Sequence, residues 1–222
     1  MTRAAAVRDD PRGGAPAQER ELRAQGKKTM RKLLDAGMNV FERRGYHAAR
    51  VDDIVKGART SHGTFYLYFA NKEDLLLALI HDCVDEMTAL STALPPIAPG
   101  EEGYQALHDW LGRFSDLYAH YGPVIRAWIE AELHGSEFGR LGQTMLGGFS
   151  QSLATRVAES APAGVDPQVA ALAFVAMIER FNYFVITRQI DFDRDTVVDT
   201  LARIAHQGLF GGTAPRRGRA RR

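Results

Sequence analysis

The stretch that most constrains this chain is residues 50–72, RVDDIVKGARTSHGTFYLYFANK. Val51, Ile54, Val55 and Ala58 recur at three- and four-residue spacing and mark a short helix, with Asp52 and Asp53 in the first turn, where the helix dipole favours acids. Arg59 and Thr60 form a turn, and Ser61 is placed to cap a second short helix in which Phe65 and Phe69, four apart, face inward. Two helices this short, joined this tightly, cannot bury a core by themselves. Residues 25–44 supply what they need. Met30, Leu33, Leu34, Met38 and Phe41 line one face of a longer helix that Gly45 stops, and the three segments make one unit.

Charge is divided along the chain in the same place. The net charge is only +1, yet residues 25–72 hold ten Lys and Arg against four acids, while residues 73–210 hold eight against nineteen. Residues 211–222 add five arginines and no acid. A basic module suited to a polyanion is thus joined to a larger acidic one that is not.

The run DDIVKGARTSHGTFYLYFANKEDLL resembles the DNA-binding signature of the TetR (tetracycline repressor) family, over about residues 25–80. The resemblance implies a helix-turn-helix. It sets Ser61, His62, Gly63 and Thr64 at the start of the recognition helix, near base edges and phosphates. It also implies that Tyr66 reaches the DNA, that Tyr68 touches the backbone, and that Lys72 meets a phosphate from the start of the fourth helix. The chemistry fits: a phenol donates to a phosphate oxygen, a lysine supplies a point charge and Gly63 lets backbones approach. Arg59 and Thr60 stand where many members have glycine and an aliphatic residue, so the left-handed turn is expected to be strained or absent. Arg50 replaces a usual Thr or Ser cap and is expected to trade it for a phosphate contact. With Thr60, these residues are the expected DNA-binding set.

The rest of the chain reads as helix throughout. Residues 1–22, with Pro11, Pro16 and paired glycines, are expected to be a disordered arm, 23–72 the helix-turn-helix domain, 73–210 a ligand-binding and dimerisation domain, and 211–222 a disordered basic tail. Asn71 caps a helix with a stripe of Leu76, Ile80, Cys83, Met87 and Leu90, broken near residue 94 by Pro95, Pro96 and Pro99. Helical periods follow at 102–121, at 123–134 with Pro123 opening it, and at 137–159, 167–189 and 193–209. The expected fold is all-α, with about nine helices: a three-helix head and a helical bundle. Segment 167–189 is apolar on most of its faces and must be covered on most of them, by its own domain and by a second subunit. A symmetric homodimer with a four-helix interface is expected.

The body is rich in large side chains. Trp110, Phe114, Tyr118, Trp128, Phe149 and Met177 are candidates to line an effector pocket, with Glu130, Glu179 and Asn182 as polar residues that need partners if buried. No nucleophile elbow, phosphate-binding loop, HExxH or dinucleotide fingerprint is present, so no enzyme and no cofactor are expected. Cys83 stands alone and the histidines are scattered, which leaves no metal site. Without a run of eighteen apolar residues or a signal-like N-terminus, a cytoplasmic protein with no membrane contact is expected. With the resemblance, the expected function is a ligand-responsive homodimeric regulator, a repressor, bound to a palindromic operator and released by a small apolar or amphipathic effector. The rival is a non-specific or architectural DNA-binding protein in which the tail arginines dominate.

Overall fold

The apolar periods become eight α-helices among the described residues: α1 (Ala17–Ala48), α2 (Val51–Gly57), α3 (His62–Tyr66), α4 (Lys72–Thr92), α5 (Glu101–Glu130), α6 (Glu137–Ser160), α7 (Pro167–Arg188) and α8 (Arg194–Leu209). The computed structural model describes residues 17–130, 137–160, 164–188 and 192–211. Most of the expected arm and all but the first residue of the expected tail lie outside them. Residues 17–22, assigned to the arm from sequence, form the first turns of α1.

The helical run of α1 is interrupted at Gly45 (φ 70°, ψ 173°), a conformation open to glycine and closed to most L residues. The chain turns there. α2 packs on α1 and α3 on α2, and Ile54 and Val55 of α2, Phe65 of α3 and Phe69 just beyond it join Leu33, Leu34, Val40 and Phe41 in one buried cluster. α4 starts where Asn71 accepts a hydrogen bond from the Asp74 amide at 2.9 Å, with Glu73 and Asp74 in its first turn. Leu75, Leu76 and Leu79 of α4 belong to the same buried cluster, and α1 comes so close that a Cβ on Gly37 would lie 2.4 Å from Leu75. Packing is therefore continuous across residues 72 and 73.

Two expected helices prove to be one. Pro123 was expected to open a helix, but it lies inside α5, which runs unbroken from Glu101 to Glu130. Proline removes one backbone bond, to the Ala119 carbonyl, and disfavours a helix interior by about 3 kcal/mol. Tyr121, Val124 and Ala127 beside it are fully buried, and that packing outweighs the local penalty. The count is eight rather than nine for this reason.

In the body, α6 bridges α4 and α7, while α5 contacts α4, α7 and α8. Carbonyls at the end of α4 and in the loop after it are tied down by side chains from afar. Trp110 Nε1 donates to the Leu90 carbonyl at 2.9 Å, Arg156 Nε to Leu94 at 2.9 Å, and His206 Nε2 to Ala98 at 2.9 Å. Arg194 grips Asp116 through two nitrogens, both at 2.7 Å, and so pins α8 to α5.

Candidate nucleic-acid interface and effector cavity

The end of α2 sets the direction of α3. The Thr60 amide donates to the Val55 carbonyl at 2.9 Å and the Arg59 amide to Lys56 at 3.2 Å, the paired bonds of a Schellman helix end. That motif needs a left-handed residue between them. Arg59 supplies it at φ 53°, so the left-handed turn doubted from sequence is present and is held by a non-glycine residue. Ser61 then caps α3, its Oγ accepting from the Thr64 amide at 3.1 Å and lying 3.0 Å from Thr64 Oγ1.

Phe65 and Phe69 fix which side of α3 faces the core, and the opposite side is open. Tyr66 is 56% exposed and Leu67 82% exposed, with His62 and Gly63 exposed beside them. A Cβ on Gly63 would meet only Ser61 Oγ, at 3.7 Å, so nothing inside the chain demands glycine there. His62 Nε2 pairs with Asp52 Oδ1 at 2.5 Å and ties the first turns of α3 and α2 together. Arg50 is exposed at the start of α2 and makes no side-chain cap there, as its substitution for Ser or Thr implied. Tyr68 is half-buried against the core, with its hydroxyl beside Gly26 of α1. Thr60 is half-buried in the turn. Leu67 was missed from sequence; its position, two residues from each core phenylalanine and so on the far side of the helix, was the available signal.

Lys72 is occupied differently from the expected phosphate contact. Its ammonium donates to the carbonyls of Tyr46 at 2.8 Å, Ala49 at 3.1 Å and His47 at 3.3 Å, and it lies 4.5 Å above the Tyr46 ring. All three protons are used, and burial lowers its pKa from the ordinary lysine value. Glu130, expected in the pocket, holds the same segment from the other side. The Tyr46 amide donates to Glu130 Oε2 at 2.7 Å, and His47 Nε2 donates to the Glu130 carbonyl at 2.8 Å. A Cβ on Gly45 would sit 2.8 Å from that carboxylate. The link between α1 and α2 is thus clamped by the start of α4 and the end of α5.

A cavity of about 100 Å³ lies between α4, α5, α6 and α7. Four of the expected residues line it: Phe114, Tyr118, Phe149 and Glu179. Cys83, Met87, Ile125 and Val175 complete the described lining. Tyr118 donates to Glu179 Oε1 at 3.2 Å, and burial first, then the carboxylate, pushes its pKa far up, so the phenol stays protonated. The other expected lining residues are elsewhere. Trp110 is fully buried behind Phe114, stacked at 5.9 Å, and Trp128 packs on the core. Met177 is half-buried on the core, and Asn182 satisfies itself by donating to the Ile178 carbonyl of its own helix at 2.8 Å. A broader depression of about 330 Å³ between α1 and α2, lined by Lys32, Asp35, Asn39 and Arg59 among others, is a polar surface groove of the head.

Pro167–Val185 is apolar and long enough for a membrane span by composition, but Ala170, Ala171, Phe174, Val175 and Ile178 make one side of it core. The other side, with Val169 68% and Leu172 54% exposed beside exposed Ala173 and Ala176, is an uncovered apolar stripe. Ile204 of α8 is 52% exposed.

Comparison with known proteins converges on the head. The family model of bacterial regulatory proteins, tetR family, matches residues 33–79. The fatty acid metabolism regulator protein of Bacillus subtilis is 44% identical over 50 residues, 22% of this chain and 26% of that protein. The chain thus spans about a quarter of that relative's length, and 37% of the length of the HTH-type transcriptional regulator YdgC of the same organism. The HTH-type transcriptional regulator EthR of Mycobacterium tuberculosis is 26% identical over 219 residues, 95% of this chain and 98% of that protein. Among solved structures, the transcriptional regulator FadR from Bacillus subtilis, in complex with stearoyl-CoA, superposes with a TM-score of 0.61 at 20% identity, covering 82% of this chain and 98% of that one. That likeness concerns the fold.

Proposed function

Because the chain belongs to the TetR family of bacterial regulatory proteins, we propose that it is a homodimeric transcriptional repressor that binds a palindromic DNA operator and releases it when a small apolar or amphipathic molecule occupies the body. Family regulators bind operators, dimerise and take small-molecule effectors such as acyl-CoA. The observation that carries the reading is the open side of α3. It is polar and aromatic at His62, Thr64 and Tyr66, is backed by buried Phe65 and Phe69, and is aimed by the Arg59 turn and the Ser61 cap.

In this reading residues 23–72 are the reading head and 73–210 the effector and dimer domain, acting in the cytoplasm. Gly63, Thr64 and Tyr66 meet base edges and phosphates, while Arg50, Thr60 and Tyr68 contact the backbone. Leu67 adds an apolar contact suited to a thymine methyl. Ser61 and Lys72 act by holding the geometry. The stripe of α7 with Ile204 of α8 meets its copy across a two-fold axis. Ile125 of the cavity wall and Glu130 of the clamp lie five residues apart on α5, so a molecule that wedges the cavity open displaces the end of α5 and tilts the head.

The test is duplex binding measured at several salt concentrations. Tyr66→Ala and Leu67→Ala are expected to cost about 1–3 kcal/mol on a preferred duplex and much less on an unrelated one. Equal losses on both duplexes, or none, contradict the assignment of α3.

A further inference from the structure

Among the described lining residues, the polar pair is the Tyr118 hydroxyl bonded to Glu179. No Lys, Arg or His occurs among the described lining residues. The layer behind is acidic as well: Tyr121 donates to Glu86 at 2.7 Å, and burial, then Glu86 and Asp82, push the lining thiol of Cys83 up to about 12. Arg180, the described cation paired with Glu179, is sequence-adjacent and exposed, with Nε 3.7 Å from Glu179 Oε2 and its guanidinium over the Tyr183 ring at 5.1 Å, while Arg31 lies 3.5 Å from Asp82 in the layer behind. Glu179 is itself 40% exposed, and an exposed pair at that distance is weak enough to be exchanged for a ligand's cation. Tyr118 binds the other oxygen, Oε1.

A carboxylate or phosphate brought into this space would face Glu179 with one hydroxyl to receive it, and desolvating it without a cation costs several kcal/mol. A protonated amine meets the opposite conditions. Glu179 accepts a charge-assisted hydrogen bond from it, and the faces of Phe114, Tyr118 and Phe149 attract a cation. The volume, about 100 Å³, is somewhat below the roughly 150 Å³ of a cavity that holds benzene. Even one small ring carrying an amine nitrogen therefore enters only as the walls give way, which is the wedging that the effector reading requires. We propose that the cavity binds a compact apolar amine, one small ring or branched alkyl group with a protonated nitrogen held by Glu179, and that it rejects acyl carboxylates and acyl-CoA. The inference rests on the reading of the body as an effector domain, and gives that effector a chemical class opposite in charge to the stearoyl-CoA bound by the Bacillus subtilis FadR.

Calorimetric titration of the full chain without DNA tests it, with benzylamine, benzyl alcohol, benzoate and stearoyl-CoA as probes. Benzylamine is expected to bind at least about tenfold more tightly than benzyl alcohol, and the two anions to give no binding. Glu179→Gln, nearly isosteric, is expected to weaken benzylamine about tenfold or more and leave benzyl alcohol unchanged, which also reports that the cavity is intact. Tyr118→Phe frees the carboxylate and is expected to tighten benzylamine. Benzoate or stearoyl-CoA binding as tightly as benzylamine, or benzylamine unaffected by Glu179→Gln, overturns the proposal. Duplex release is measured separately: amine binding that leaves duplex affinity unchanged supports the cavity chemistry and counts against the effector role.

Discussion

At the scale of single residues, the turn before α3 is the most exacting position. Arg59 holds a left-handed backbone that costs an L residue about 1–2 kcal/mol relative to glycine. Arg59→Gly is therefore expected to raise stability by up to about 1 kcal/mol in urea unfolding, after the greater freedom of glycine in the unfolded chain is subtracted. A loss of stability would show that the arginine side chain contributes more than its backbone strain removes. The local residues here were legible in sequence, because Ser61, Phe65 and Phe69 act within four positions of their partners. Glu130 was not. The Tyr46 amide that it accepts lies 84 residues earlier, and no local pattern announces a carboxylate whose partner is a distant backbone group. Lys72 shows the same limit, since its family position suggests a phosphate while its three carbonyl partners appear only when α1 and α4 are folded together.

At the scale of elements, the clamp between α1, α4 and α5 ties the link before the helix-turn-helix to the body. Lys72→Ala removes three donors from the carbonyls around residues 46–49, and is expected to destabilise the head by about 1–3 kcal/mol. It should weaken binding to every duplex by a similar factor. If the residue acts only as a clamp, the slope of affinity against salt will not change; a slope reduced by about one unit would instead assign Lys72 to a phosphate. Apolar periodicity located nearly all of these helices, since each buries one side. It failed at Pro123, where tertiary burial of Tyr121 and Val124 overrides the local signal, and at the start of α1, where polar residues 17–22 carry no apolar period. The pocket was half legible for a similar reason: Phe114 and Trp110 look alike in sequence, and only packing sends one to the cavity and the other behind it.

At the scale of the whole molecule, the proposed dimer brings the charge division and the bare stripe of α7 into one arrangement. A basic head gains affinity and spacing when two copies are fixed by an acidic body that DNA repels. Leu172→Glu, on the uncovered side of α7, is expected to leave the monomer folded, to halve the mass seen in sedimentation, and to lower operator affinity by two orders of magnitude or more, roughly the gain that linked binding confers. The central claim is that α3 reads DNA as one of a symmetric pair. Its most direct measurement is selection of duplexes from a random pool by the full chain. The account predicts enrichment of a palindrome with half-sites about 34–36 Å apart, or a multiple of that spacing, lost in Tyr66→Ala. A pool that stays random, or the same palindrome enriched by Tyr66→Ala, would contradict it.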